Sequence, residues 1–482
     1  MRTSNKLISA SGNKNAARKS RAAFFLRSLI GIVTVASALF CYAAIRLNAR
    51  AVPVGAEEAA AARSVYEKAH WASIHPFDDA RDLTPLAWDG AGARTYPSAD
   101  AIAADLNARS VILVDATTGS ILFERNADEL IPPASMTKLV AMYTAFRAIK
   151  AGEISLDDEL EPPPESWASN IPAGSSLMFL GEGQRVTVRE LLLGMAVVSG
   201  NDAAIALACH VSGSVAAFVE RMNAEMEALS LSHTRFVEPS GLSELNQTTA
   251  REFANFALAY IRDYPEALKQ FHSQPRLAYP ASRNLPAWST ERPVEQEATN
   301  RLIGALEGCD GLKTGFIRES GFNLSLTAER NGNRFISVTM RGPGSNSYEG
   351  SLLRSKDGML LMEWAFANFR TARPETARAT TVTVWKGESS AIEAIPAGQS
   401  DFTIPESAIG QSGAAITYEI PRAIRAPVHA GDPLGSVRYS INGTVVHSVP
   451  LVADRTVHTA GFFHRALDHA AQLLAARVFA QR

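Results

Sequence analysis

The chain has 482 residues, 46% of them apolar and 20% charged, with 47 lysines and arginines against 49 aspartates and glutamates. That length assures a core and makes two or three domains the natural expectation, while a net charge of −2 offers no basic surface for nucleic acid. Three cysteines, Cys41, Cys209 and Cys309, exclude a disulfide framework and show no metal-ligand spacing; free buried thiols are expected rather than a Cys209–Cys309 bond.

The N-terminus carries Arg2, Lys6, Lys14, Arg18, Lys19, Arg21 and Arg27 without an acid, and then "SLIGIVTVASALFCYAAI" (Ser28–Ile45) runs 18 residues without a charge. A basic flank ahead of such a run marks a secretory signal or a single membrane helix, basic side in the cytoplasm. Ala49-Arg50-Ala51 offers a small-x-small cleavage site, yet the apolar run is long for a signal, so cleavage and retention of residues 1–50 both stand. Either way, the remainder is exported. Residues 51–104, rich in Ala, Asp, Glu and Pro, read as a spacer with some helix.

At Ser110 the texture changes. "SVILVDATTGSILFERNADEL" reads as strand, turn at Thr118-Gly119, strand. "SMTKLVAMYTAFRAIKAG" puts Leu139, Val140, Met142, Tyr143, Phe146 and Ile149 on the buried side of a helix closed by Gly152, with Pro132 and Pro133 at its entry. Residues 187–230 are dominantly helical, broken at Ser199-Gly200-Asn201 and near Gly213; His210 is expected to pack in the core there. Strands return at "GCDGLKTGF" and "RFISVTM", and the helix "SLLRSKDGMLLMEWAFANF" closes the region ahead of Pro374. A strand-rich module follows over 379–455, where Asn442-Gly443 between alternating segments predicts a hairpin. In the tail, 456–482, Phe463, Leu467, Ala470, Leu474 and Val478 share one helical face opposite Arg465, His469 and Gln472. Such a helix is too polar to span a membrane and suits the headgroup plane, the other reading being a helix docked on the strand-rich module. His458, His464 and His469 belong to this amphipathic pattern and not to a metal site.

Three short motifs occur in order: Ser135-x-x-Lys138, Ser199-Gly200-Asn201 and Lys313-Thr314-Gly315. Each alone is weak, and Ser11-Gly12-Asn13-Lys14 satisfies the first template by chance. Together they describe chemistry. Ser135 and Lys138 lie on one face of a first helical turn, so the amine reaches the hydroxyl. A lysine near its usual pKa of about 10.4 is no base at neutral pH, but burial and a second cation such as Lys313 would lower it. Ser199 can relay a proton to a leaving amine, and Asn201 can hold Lys138 and a substrate amide. Lys313 and Thr314 can present a cation and a hydroxyl to a carboxylate, with Gly315 allowing close approach of a substrate backbone. No cofactor and no metal is called for.

In order and context this trio resembles the penicillin-binding proteins and serine β-lactamases. The flanks, "PPASMTKLV", "VVSGNDAAIALACHVSGSVAAFVERMN", "TRFVEPSGL" and "GCDGLKTGFIRESGFNLSLTAERNGNRFISVTM", resemble the low-molecular-mass D-alanyl-D-alanine carboxypeptidases, peptidase family S11, from about Ala108 onward. The resemblance implies an α/β (α+β) serine β-lactamase/transpeptidase-like catalytic domain over 105–374, an antiparallel sheet flanked by helices, followed by a small C-terminal all-β module. It implies removal of the terminal D-alanine from a peptidoglycan stem peptide through an acyl-enzyme on Ser135. The backbone N–H groups of Ser135 and Phe316 would be the oxyanion donors, β-lactam antibiotics covalent inhibitors, and the periplasmic face of the bacterial inner membrane the location. Arg341 and Arg354 are loose matches to a further carboxylate-binding arginine, and Ile317 departs from the common threonine. A class A β-lactamase would need Glu-x-x-Leu-Asn, but Glu238 is followed by Gly241 at the leucine position, and Leu245-Asn246 lacks its glutamate at Leu242. Endopeptidase action on cross-links is the alternative that shares the mechanism; a non-enzymatic peptidoglycan-binding protein would be expected to lack Ser135, Lys138 or Lys313.

Overall fold

The computed structural model describes residues 7–70, 99–373, 379–398, 401–406, 414–441 and 443–479. Residues 71–98 of the expected spacer, Pro374 and the turn residue Asn442 lie outside these. The chain divides into two compact units, a larger one of residues 74–373 with 401–410, and a smaller one of 1–73, 374–400 and 411–482.

The smaller unit begins with α1 (Leu7–Leu47) and α2 (Ala56–His70). The larger unit then runs α3 (Ala99–Asp105), β1 (Ser110–Asp115), β2 (Ile121–Arg125), α4 (Thr137–Lys150), β3 (Glu159–Leu160), β4 (Val186–Thr187), α5 (Val188–Val197), α6 (Asn201–Ser212), α7 (Val215–Ala228) and α8 (Ala250–Asp263). It continues through β5 (Arg276–Tyr279), β6 (Val294–Glu297), β7 (Cys309–Ile317), β8 (Gly321–Arg330), β9 (Asn333–Gly342), α9 (Ser347–Asn368) and β10 (Phe369–Ala372).

Five strands form an antiparallel sheet in the order β2-β1-β9-β8-β7. Every residue of β1 is buried because both faces of the sheet are covered. Ile112 and Val114 join Ile336, Val338 and Met340 in a core filled by α4 to α8. Their neighbours Val111 and Leu113 point the other way and pack with Leu324, Leu326 and Phe335 against Leu361, Met362 and Ala365 of α9. Burial of each such side chain contributes about 1.5–3 kcal/mol. The α4 segment is buried beyond the one face its spacing predicts: every residue from Thr137 to Phe146 is buried, which makes it a central helix. Thr187 and Glu190 form a capping box that starts α5, and Gly213 at φ 74° ends α6.

One strand leaves the strand-rich stretch for the larger unit. Strand β13 (Phe402–Pro405) pairs antiparallel with β10. The buried carboxylate of Asp115, at the end of β1, accepts the hydroxyls of Thr371 at 2.8 Å and Thr403 at 2.9 Å, and the N–H groups of Thr117 and Thr118. Burial pushes its pKa up while these donors pull it down.

In the smaller unit, β11 (Thr380–Trp385), β12 (Ala391–Pro396), β14 (Ala414–Glu419), β15 (Ala423–Arg425), β16 (Pro433–Ile441) and β17 (Thr444–Ala453) form one sheet in the order β14-β16-β17-β12-β11-β15. The β16/β17 hairpin closes where the sequence signal places it, Ile441 facing Thr444. Helix α2 packs Ala62 against Ile395, Ala397 and Val452. Helix α10 (Phe462–Phe479) docks through Asp468 and Ala471, which are fully buried, and leaves Phe462, Phe463, Leu467 and Leu473 exposed. The side chains of Leu474 and Val478 lie outside the described ones.

Candidate active site

Ser135 sits in a single 3₁₀ turn, Ala134–Met136, that feeds straight into α4. Pro133 sets the approach, and Lys138 follows as the second residue of the helix. The Lys138 amine is completely buried. Its Nζ lies 3.1 Å from Ser135 Oγ, 2.6 Å from Asn201 Oδ1 and 2.5 Å from the carbonyl of Ser240. Burial lowers its pKa to about 7, against the opposing fields of Glu238 and Asp202. Close to neutral pH this amine therefore exists in both forms, and the neutral form can take the Ser135 proton.

Ser199 and Asn201 come from the break between α5 and α6. Ser199 is buried with φ at 63°, a left-handed conformation that stores of order 1 kcal/mol or more and persists only when its surroundings hold it. The holding is visible: the Gly200 N–H reaches Gly194 O at 2.9 Å and the Asn201 N–H reaches Ser176 O at 2.9 Å. Asp202, next in sequence, grips the facing loop. Its buried carboxylate accepts N–H groups of Met178 at 2.9 Å, Phe179 at 2.8 Å and Leu180 at 3.0 Å, besides that of Ala203.

Lys313 and Thr314 lie on β7. Lys313 is buried, donates to Thr314 O at 3.0 Å, and has its pKa pushed well down by burial first and then by Lys138 and Arg354. Thr314 Oγ1 donates to Thr299 Oγ1 at 3.0 Å. Gly315 has a reason beyond the one its motif suggests. A Cβ there would fall 2.5 Å from Pro133 O and 3.2 Å from Ala134 Cβ, so the backbone that approaches it closely is the chain's own turn ahead of α4. Asn323 on β8 adds a second tie by donating to Pro132 O at 3.0 Å. Phe316 is half-exposed at the strand edge, stacked on Phe322 with centroids 4.2 Å apart.

Sequence reasoning missed a loop. Glu238 accepts the Ser240 N–H at 2.7 Å, the Ser240 hydroxyl at 2.5 Å, the Gly241 N–H at 2.6 Å and Asn246 Nδ2 at 2.9 Å. The clamp aims Ser240 O at Lys138, while Gly241, at φ 85°, lies so close to Ala134 O that a Cβ would reach 1.9 Å. Of the two arginines, Arg341 is taken up by Glu129 at 2.8 Å, whereas buried Arg354 reaches Gly315 O at 3.3 Å, beside the third motif. Burial, followed by Arg301, lowers the Arg354 pKa to about 10. His210, expected in the core, instead meets Asp158 at 3.6 Å with its ring partly exposed. Cys209 and Cys309 are unbridged and partly rather than fully buried.

The larger unit's sequence settles where this geometry belongs. A profile described as D-alanyl-D-alanine carboxypeptidase matches residues 96–344, and one for the C-terminal domain of penicillin-binding protein 5 matches residues 373–459. The chain belongs to the D-alanyl-D-alanine carboxypeptidase family. DacC of Escherichia coli K12 is 33% identical over 372 residues, 76% of this chain and 88% of DacC. The D-alanyl-D-alanine endopeptidase of Pseudomonas aeruginosa is 31% identical over 276 residues, 57% of this chain and 82% of that protein. The structure of penicillin-binding protein 5 from Haemophilus influenzae, 31% identical, superimposes with a TM-score of 0.63 over 73% of this chain and 98% of that one. The expected transpeptidase-like fold and mostly-strand C-terminal module both hold within this carboxypeptidase family.

Proposed function

We propose that the chain removes the terminal D-alanine from peptidoglycan stem peptides through an acyl-enzyme on Ser135. The observation that carries this is the buried Lys138 amine, 3.1 Å from Ser135 Oγ with its pKa brought down to about 7. Neutral Lys138 takes the hydroxyl proton as Ser135 Oγ attacks the penultimate D-alanine carbonyl. The N–H groups of Ser135 and Phe316 receive the oxyanion. The C–N bond breaks, the proton returns to the departing amine through Ser199, free D-alanine leaves, and water then hydrolyses the ester. Asn201 orients Lys138, and Lys313, Thr314 and Arg354 favour a free terminal carboxylate; Arg341, spent on Glu129, does not take part.

β-Lactams acylate the same serine. Residues 105–374 form the catalytic part, joined by strand β13, the rest of 379–455 forms the β-rich module with α2 packed on it, and what remains of 51–104 is the spacer; α10 lies with its phenylalanines in the headgroup plane at the periplasmic face of the inner membrane, where the substrate is met. Fluorescent penicillin should label the protein, and Ser135→Ala should abolish labelling while Ser11→Ala leaves it intact; equal labelling of Ser135→Ala would sink the assignment. Mass spectrometry of products from a pentapeptide stem and from a cross-linked dimer separates carboxypeptidase from endopeptidase action, the second reading that the Pseudomonas relative keeps in view.

A further inference from the structure

The last turn of α1 is part of the smaller unit's core. Arg46 is buried there, and its guanidinium makes a 2.9 Å ion pair with Asp468 of α10, which has no exposure. The same guanidinium donates to Val384 O at 2.8 Å and lies 5.8 Å from the Trp385 ring centroid. Asp468 also accepts the Tyr42 hydroxyl at 2.8 Å and the Lys386 N–H at 2.5 Å, and His464 Nε2 stands 4.0 Å away. Ala43, Ala471 and Trp385 close over these groups as an apolar cluster, flanked by Tyr42, Leu47 and Ala423.

A buried carboxylate is tolerated where it is paired and hydrogen-bonded. Cutting the chain near Ala49–Ala51 would strip Asp468 of Arg46 and Tyr42 and uncover the Trp385 cluster, leaving a C-terminal helix docked by an incompletely paired acid. Tyr42 and Arg46 are four residues apart on one helical face, with Ala43 beside them, so the contact is complementary along a full turn. This turn is the end of a stretch, Arg27–Leu47, that is long and apolar enough to cross a bilayer and is exposed ahead of the turn. With its last turn engaged, residues 22–41 still extend about 30 Å along the helix, the thickness of a hydrocarbon core, and Arg27 can snorkel toward the cytoplasmic boundary.

We infer that α1 is retained in the mature protein as a membrane span, and that the Arg46–Asp468 clasp joins it to α10 so that span and surface helix form one anchor. Phe462, Phe463, Leu467 and Leu473 of α10 are exposed and free to enter lipid. The inference rests on the export reading and not on the acyl-enzyme.

Two measurements on the full chain in native membranes test it. The intact mass should correspond to a protein that still carries Ser28–Ile45; a mature chain beginning at or after Ala49–Ala51 overturns the idea. Arg46→Ala and Asp468→Ala should each lower the temperature at which the C-terminal module becomes trypsin-sensitive. The double variant should lose no more than the worse single one, because it removes both buried charges. An Arg46→Ala protein as resistant as the wild type, or losses that simply add, would refute the clasp. Penicillin labelling of the same samples is read separately and bears on Ser135 alone, so failure of the two readings can be told apart.

Discussion

Acidifying the protein should switch off acylation through one group, Lys138. With a pKa of about 7, about half of the amine is neutral at neutral pH, against about three parts in ten thousand for a lysine at its ordinary 10.5. That difference arises from burial, since the charged groups that act on Lys138 both oppose it. Glu238 and Asp202 favour the ammonium, while Lys313, itself pushed down by Lys138, is the facing cation. Between about pH 5 and about pH 8 the neutral fraction rises about ninety-fold, and the second-order rate of penicillin acylation should rise with it along a single titration centred near 7. The assay is stopped-flow or gel-based labelling over that range at constant ionic strength. Lys138→Arg, which keeps the cation and cannot give up its proton, should lose acylation across the whole range. A rate that keeps climbing tenfold per pH unit to about pH 10, or an active Lys138→Arg, would refute the buried-base argument.

Glu238→Gln removes a carboxylate whose field favours the Lys138 ammonium, so the midpoint of the same acylation profile should move to lower pH; an upward shift would contradict the assignment. Gly315→Ala must displace the Pro133–Ala134 backbone by about an ångström, and misplacement on that scale should slow acylation about a hundredfold while the fold is retained by circular dichroism. Arg354→Ala should lower kcat/KM for a pentapeptide about tenfold or more, the worth of a charge-assisted contact, and should have little further effect on a substrate whose terminal carboxyl is amidated. Arg341→Ala, which breaks only the half-buried pair with Glu129, should change kcat/KM little.

What could be read from the chain alone follows a physical rule. Features set by neighbours in sequence were legible: the Thr118-Gly119 turn, the Ser135–Lys138 spacing on one helical turn, the break at Ser199-Gly200-Asn201, and the β16/β17 hairpin. The ordered trio of motifs then placed those pieces at one site because their chemistry is complementary. The supports were not legible, because they join side chains to backbone groups far off in the chain. Asp202 takes the N–H groups of 178–180, more than twenty residues upstream, and Asp115 takes hydroxyls from Thr371 and Thr403. A carboxylate that caps a distant loop carries no periodicity, and nothing local distinguishes it from a solvated acid. Glu238 shows the hazard in its sharpest form. A deacylation motif would need a leucine where Gly241 stands, and the same glycine is what lets the loop close against Ala134 and bring Ser240 O to Lys138. With its oxygens already accepting donors from Ser240, Gly241 and Asn246, Glu238 has little capacity left to activate a water. In this chain Glu238 is therefore occupied in holding the Ser240 carbonyl against Lys138 and does not stand free as a second base.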